Sequence, residues 1–382
     1  MTPRPSSSRP AYEEVAGYDT DDAESPEPEQ RRRRRHQLCR RRCHHSLARR
    51  HQLCFLCTLS GALVNSQRIV LAIALVRMQA VKGWDKAMQG WLLSAFYLGY
   101  FCMQVPGGLM TRRFPPRQLI AASVALSALC TLFVPAAAEL SPSTLYAARV
   151  MQGVTQGPWS SSLAALWSSW SPPNERSMMD ASPQAGQFFG ALIFGALAGA
   201  QCDHPEWPVF GGWQGVFYLQ GVLGLLWTLY WMYNNVADLP ATDPHCSVSE
   251  RAFIAEAIRF EIEQTAIPPP PARNTGAQSN ATSGDGQSSP PSKTVRHPEL
   301  SGRELVSAVM CSGAVWAIIL VGVASSFTIF VLEDGLPSYM RDVAGLSLTE
   351  VGLLASVPAL AKGCLTLLAA WAADHLRSRS NV

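Results

Sequence analysis

The sequence predicts an all-α, polytopic membrane protein, and three observations carry that reading. Of 382 residues, 48% are hydrophobic and only 15% charged, where a typical soluble domain has roughly 25% charged residues. The apolar residues gather into runs of about 20 or more, the length a helix needs to cross a bilayer, without the alternation of a half-buried strand. Lysine and arginine collect in alternate connections between those runs, the bias that sets membrane topology.

Taken in order, residues 1–51 form a polar tail, acidic at EEVAGYDTDDAESPEPEQ and then basic at RRRRRHQLCRRRCHHSLARRHQ. It lacks the apolar core and cleavage site of a signal peptide, and its acids argue against a transit peptide. The tail is predicted to be disordered and cytoplasmic. Eight spans follow, at about 53–76, 88–110, 118–138, 143–167, 180–201, 213–234, 306–332 and 348–373. Six of them make a transmembrane bundle over 52–235, and two fall in a last region over 305–382. Between them, 236–304 reads as a cytoplasmic central loop, largely disordered. Its opening, DLPATDPHCSVSERAFIAEAIRFEIEQ, predicts a short amphipathic helix with Ser247 or Ser249 as N-cap ahead of Glu250. The tract PPPPARNTGAQSNATSGDGQSSPPSK is flexible by composition.

With the N-terminus in the cytoplasm, Arg31–Arg35, Arg40–Arg42, Arg49, Arg50, Arg112, Arg113, Arg117, Arg176, Arg377 and Arg379 lie inside, and Lys82, Lys86 and Arg341 outside. The opposite orientation inverts this bias. The ten cysteines are scattered through apolar runs and form no disulfide framework. Cys39, Cys43, His44, His45, His51 and Cys54 match no zinc spacing, and no cofactor is expected. The arginine run suits anionic lipid and topology setting rather than nucleic acid. The sequon at Asn280 falls on the cytoplasmic side. Paired catalytic carboxylates, a nucleophile elbow and a phosphate-cradling loop are not found, so an enzyme is not expected.

An ionisable residue within a span faces the bundle interior or a watery cavity and marks function. On a helix, Arg149, Gln152, Gly153, Gln156 and Ser160 share one face, which is polar and small. Arg68 lies within the first span near Asn65. Guanidinium donates two parallel hydrogen bonds to a carboxylate or phosphate, so two such residues around one cavity suit an anionic cargo. From the residues alone, a structural bond to another helix stays open for each arginine. Gly99, Gly107, Gly153, Gly157, Gly186 and Gly190 supply small surfaces for close helix packing.

Several stretches carry a resemblance. QVPGGLMTRRFPPR (104–117) is similar to the major facilitator superfamily's loop signature, G-x-x-x-D-R-x-G-R/K-R/K. Gly108, Arg113 and Arg117 fit it; Arg112 stands at the acid's place, and Pro115 and Pro116 replace a glycine and its neighbour. RVMQGVTQGP (149–158) resembles R-x-x-x-G-x-x-E-G, and SSWSPPNERS (168–177) resembles W-x-P-P-x-E-R-S. Both patterns belong to the anion–cation symporter branch, which holds sodium/phosphate cotransporters, sialin, and vesicular glutamate and nucleotide and plastid phosphate transporters. GWQGVFYLQGVLGLLW (212–227) and VWAIIL…LPSYM (315–340) are similar to the branch as well. WAADHLRSR (371–379) resembles a degenerate second copy of the loop signature, with Asp374 at the acid position.

The resemblance implies the major facilitator fold, with a complete N-terminal six-helix bundle and two helices of the C-terminal bundle. It implies a monomeric secondary transporter for a small organic or inorganic anion (phosphate, sugar acid, nucleotide or similar), working by alternating access. Asn65, Arg68, Arg149, Gln152 and Gln156 would bind the anion, and Gly108, Arg112, Arg113, Arg117 and Asp374 would gate the cytoplasmic face. Three positions depart from the branch. Gln156 replaces an acid linked there to proton coupling, so coupling to Na+ or H+ stays open. Leu93 and Ser325 replace a histidine and an arginine of vesicular glutamate transporters, so glutamate is not favoured. Lys362 is unexpected in the middle of the eighth span, with snorkelling, pairing and the anion cavity as alternatives. Glu333 and Asp334 are expected to cap the outer end of the seventh span in water. The superfamily has two six-span bundles, so two expectations follow from eight spans: a piece of a twelve-span product, or a non-transporting membrane protein that binds a partner or an anion.

Overall fold

The computed structural model describes residues 48–207, 211–265, 311–355 and 357–380, and no strand occurs among them. Residues 1–47, with the cysteines and histidines from Cys39 to His45, lie outside the described residues. So do 266–310, with the Asn280 sequon, and the side chain of Glu333.

The helices are α1 (Arg49–Lys82), α2 (Lys86–Met110), α3 (Pro116–Leu140), α4 (Pro142–Trp170), α5 (Arg176–Asp203), α6 (Gly212–Tyr233), α7 (Val248–Thr265), α8 (Gly313–Asp342), α9 (Leu348–Leu354) and α10 (Val357–Ser380). Their ends follow local chemistry. Asp85 caps α2 by accepting the Met88 N–H at 2.8 Å, and Ser141 caps α4 by accepting that of Thr144 at 3.1 Å. Pro116 and Pro142 open α3 and α4, where the missing N–H is harmless. Gly83 ends α1 in the left-handed region at φ 71°, a conformation glycine adopts without steric penalty.

Three boundaries differ from the sequence expectation. The first span, read as starting at 53 after a tail ending at 51, begins at Arg49 and runs to Lys82. The Glu250 carboxylate accepts the Arg49 and Arg50 N–H groups at 3.0 Å each, capping α1 from the central loop. The opening of the central loop forms the expected helix, α7, and of the two expected caps it is Ser247 that accepts the Glu250 N–H, at 3.2 Å. The seventh span runs on through Asp334 to Asp342. The eighth breaks after Leu354, because Pro358 has no N–H for the Leu354 carbonyl.

The chain divides into two compact units, residues up to Glu263 together with those from Glu333 on, and Gln264–Leu332. The described part of the second is the last two residues of α7 and residues 311–332. In the first, α2 packs on α4, α1 on α5 and α6, α3 on α4 and α6, and α9 and α10 on α5. Two apolar layers hold it. One joins Leu53, Leu56, Trp159, Trp167, Trp170 and Trp227, and the other Val70, Leu71, Leu75, Val134, Leu145 and Phe217. These lie toward opposite ends of the same helices.

Among the described residues, five helical stretches are long and apolar enough to cross a membrane: α1, α3, α5, α6 and Leu348–Arg377. Helices α2 and α4, with 25 and 29 residues, are also long enough at 1.5 Å per residue. They are less apolar, and in α4 the reason is the polar face that holds Arg149, Gln152 and Gln156 inward.

Candidate functional site

Between the two apolar layers, midway along the helices, lies a belt of buried polar side chains. Its centre is Arg149 on α4, 1% exposed. Nη1 donates to the Gln152 Oε1 at 2.5 Å and to the Gln67 carbonyl at 3.2 Å, and Nη2 donates to the Arg68 carbonyl at 2.9 Å. The guanidinium lies over the Phe96 ring at 5.4 Å, an attractive arrangement for a cation away from water. Its Nε has no hydrogen-bond partner.

The belt continues through amides and hydroxyls. Gln152 donates to the Thr131 hydroxyl at 2.8 Å. Gln156 donates to the Ser127 hydroxyl at 2.6 Å and to the Val64 carbonyl at 3.2 Å. Ser127 donates to the Gln67 Oε1 at 2.6 Å, and Ser66 to the Gln220 Oε1 at 2.7 Å. Helices α1, α3, α4 and α6 are thereby joined at one depth. Such a network in an apolar surround is stable only when nearly every donor and acceptor is satisfied.

Of the expected binding residues, the fold brings Arg149, Gln152 and Gln156 together and places the Arg68 backbone against them. Asn65 makes a different bond, to the Gln187 carbonyl on α5 at 2.8 Å, and its Oδ1 is buried without a partner. Sequence reasoning missed Ser66, Gln67, Ser127, Thr131, Phe96 and Gln220. Gln67 is fully buried inside an apolar run, the signal that could have found it. The remaining small polar residues look like ordinary helix surface.

A carboxylate also serves this belt. Asp334, expected to cap a helix end in water, sits well inside α8, and the Tyr97 hydroxyl donates to it at 2.7 Å. Its charge acts on Arg149, as does that of Arg68. Lys362 lies over the Phe188 ring of α5 at 4.3 Å, a contact with an aromatic face.

The expected gating residues separate. Asp374 on α10 accepts the Ser177 N–H at 3.1 Å and the Met178 N–H at 2.9 Å, so it caps the first turn of α5. Arg377 adds a bond to the Pro173 carbonyl at 3.1 Å. At the other end of α5, the Asp203 carboxylate accepts the Thr349 N–H at 2.8 Å and its hydroxyl at 2.7 Å. Arg117 binds the start of the central loop, donating to the Val236 carbonyl at 3.0 Å and pairing with Asp238 at 3.3 Å. Burial, the larger cause, holds the Asp238 carboxyl above its usual value against the pull of Arg117. Arg112 and Arg113 are exposed, and a β-carbon on Gly108 would meet open space.

A clasp at the same end was not foreseen. Arg49 is buried against Asp243, donating at 3.4 Å from Nε and to the Asn234 carbonyl at 2.8 Å. Arg50 joins Glu175 at 2.8 Å and Glu250 at 3.2 Å. Arg176 pairs with Glu261 at 2.8 Å. These bonds tie α7 to the starts of α1 and α5.

Comparison with known proteins gives the family. A family profile described as Major Facilitator Superfamily matches residues 55–381. Sialin of Homo sapiens is 28% identical over 299 residues, 78% of this chain and 52% of sialin. Uncharacterized transporter slc-17.2 of Caenorhabditis elegans is 31% identical over 296 residues, 78% of this chain and 53% of that protein. Vesicular glutamate transporter 3 of Danio rerio is 27% identical over 320 residues, 83% and 47% of the two chains. The crystal structure of a bacterial homolog to the human lysosomal transporter Spinster, in an inward-facing and occupied conformation, matches with a TM-score of 0.58 at 16% identity. That match covers 82% of this chain and 59% of the other and speaks to the fold alone. The chain spans about half the length of the curated relatives it matches.

Proposed function

The chain belongs to the Major Facilitator Superfamily, and on that premise we propose that it is a multi-pass secondary transporter moving a small organic or inorganic anion by alternating access. The observation that carries the reading is the Arg149 guanidinium, enclosed at the middle of the bundle with Arg68 beside it. A buried charge of this kind is expensive and marks a substrate path. The names of the relatives, sialin and vesicular glutamate transporters, support an anionic cargo. Leu93 and Ser325 favour phosphate, a sugar acid or a nucleotide over glutamate.

In this reading the closed site holds its own substitutes for cargo. Gln152 occupies Nη1, Nε is open, and Asp334 supplies the negative charge. An entering oxyanion displaces the Gln152 contact and pairs with Nε and a terminal nitrogen, a bidentate geometry that lysine cannot reproduce. Asn65, with its unpartnered Oδ1, lines the same stretch of α1. The Asp374 and Asp203 caps lie at opposite ends of α5, and each must loosen when its end opens. The N-terminus, Arg112, Arg113 and Arg117 face the cytoplasm, the molecule acts as a monomer, and Na+ or H+ drives uptake. Gln156 cannot carry a proton, so the carboxylate of Asp334 is the coupling group to examine first.

The test is uptake by proteoliposomes containing the purified product of the full transcript, with labelled phosphate, a labelled sugar acid and a labelled nucleotide. Each is assayed with and without sodium, a pH gradient and a membrane potential. Accumulation of one anion under one gradient is the expected result. Failure of all three with folded protein rejects the transport reading in favour of a non-transporting, anion- or partner-binding membrane protein.

A further inference from the structure

At the end of α1 away from the α7 clasp, the helix continues beyond the expected span and carries Arg77 on its last turns. Arg77 and Arg341 both line an open cavity of about 480 Å³, together with Gln79, Ala80, Trp84 and Asp342. The volume falls within the roughly 300–1,000 Å³ of small-molecule sites. The two guanidiniums come from α1 and α8, far apart in sequence.

The local charges leave this cavity cationic. Asp342, the acid in its wall, is paired with Lys86. Nearby Asp203 keeps its charge while it accepts the Thr349 N–H and hydroxyl, so Arg77, Arg341 and Lys86 outnumber Asp342 and Asp203 by one. Lys82 and Glu139 answer each other at 2.5 Å. Arg341 is held in place by one bond, from Nη1 to the Leu346 carbonyl at 2.8 Å, and a guanidinium has donors to spare. Gln79 is fixed by the Gln89 side-chain amide, which donates to its Oε1 at 2.6 Å. Trp84 gives the cavity an aromatic wall. Gln79 also lies three turns beyond Arg68 on nearly the same face of α1, roughly 16 Å along the helix.

We propose that this cavity is a second anion site, separate from the Arg149 belt. Arg77 and Arg341 grip a carboxylate or phosphate of a small organic or inorganic acid before it moves inward. The site rests on the transport reading only for its purpose; its occupancy by an anion stands or falls by itself. A cleft lined by one sign of charge concentrates counter-ions and raises their encounter rate by about tenfold or more.

The test therefore needs no transport. In the purified full-length chain, Ala80→Cys places a thiol in the cavity wall, and labelling of the same chain without that thiol is subtracted. A sulfonate-bearing and a trimethylammonium-bearing methanethiosulfonate are compared. The expected result is a sulfonate-to-ammonium rate ratio that falls about tenfold in the Arg77→Gln/Arg341→Gln double variant, and persists in Arg77→Lys/Arg341→Lys. Inorganic phosphate at low ionic strength slows labelling of the parent and not of the glutamine variant. An unchanged ratio in the glutamine variant, or labelling that phosphate does not slow, overturns the site. Either result is obtained whether or not the proteoliposomes take up any anion.

Discussion

The Arg149 guanidinium donates to the main-chain carbonyl of Arg68 at 2.9 Å, so the two cations proposed to bind one anion are joined across α4 and α1. The bond gives Arg149 a structural duty as well as a charge. The question the sequence left open, substrate contact or interhelix link, becomes one of how the two duties divide.

Lysine and alanine separate them. Arg149→Ala leaves the Gln152 Oε1 without its donor and removes one bond from each of the Gln67 and Arg68 carbonyls, of which Gln67 keeps the Gln152 amide, at about 1–3 kcal/mol for a buried group left unpaired. That variant is expected to melt well below the parent and to lose uptake. Arg149→Lys keeps a charge and some bonding but loses the planar fork. It is expected to melt near the parent while uptake falls at least tenfold. Native uptake by the lysine variant rejects bidentate anion binding, and melting as low as the alanine variant makes Arg149 structural.

Close packing of α2 on α4 gives a second expectation. A β-carbon at Gly153 would strike the Phe96 carbonyl, and Phe96 carries the ring beneath Arg149. Gly153→Ala must push the helices apart, and overpacking of this kind costs about 1–3 kcal/mol. A thermal-shift assay should show a clear loss of stability together with weakened uptake. An alanine variant as stable as the parent means that the helices separate freely there.

The spans, the inward face of α4 and the two arginines were legible because each is a local pattern: an apolar run, a helical period, a charge out of place. What the sequence hid depends on distant partners. Arg49 looks like the end of a basic tail until Asp243 and Glu250 fold back onto it. Asp334 looks like a solvated helix end until Tyr97 meets it. Ser127 and Gln220 are unremarkable singly and join a network only when four helices align them. Arg77 was left outside the first span because apolarity fades before the helix does.

The clasp has its own reporter. Burial, followed by the Glu250 and Asp243 carboxylates, pushes the Cys246 thiol up to about 11. A folded value above the unfolded one of about 8.5 means the folded state holds its proton more tightly. The associated stability is complete below about pH 8.5 and is lost as pH climbs toward 11. At pH 8, Cys246 should resist iodoacetamide in the parent. Glu250→Ala removes the cap of α1 and the Arg50 pair, so alkylation of Cys246, located by mass spectrometry, should accelerate at least tenfold. Equal alkylation in both proteins rejects Glu250 as the tie.

Asp334 offers a test of the resident counter-charge. Asp334→Asn keeps an acceptor for the Tyr97 hydroxyl and removes the charge that acts on Arg149. An incoming anion then meets less competition, so its apparent KM should fall several-fold. If Asp334 also carries the coupled proton, stimulation by a pH gradient should disappear in the same variant. A KM equal to or above that of the parent rejects the competing-anion role.

The ends of α5 supply the last expectation. Asp374 caps its first turn, and Asp203, at its last residue, caps the first turn of α9. A carboxylate at a helix N-terminus contributes about 0.5–2 kcal/mol, and each 1.4 kcal/mol is a tenfold change in a population. Removing one cap should therefore shift the balance of open forms at that end and leave the other end closed. Spin labels on Ser168 and Leu376, both exposed, report the Asp374 end in a background without reactive thiols. Asp374→Ala should add a longer distance to the Ser168–Leu376 distribution, and Asp203→Ala should not. Identical distributions in all three proteins would show that the contact with α5 is held by apolar packing of α10, with the Asp374 cap an accessory to it.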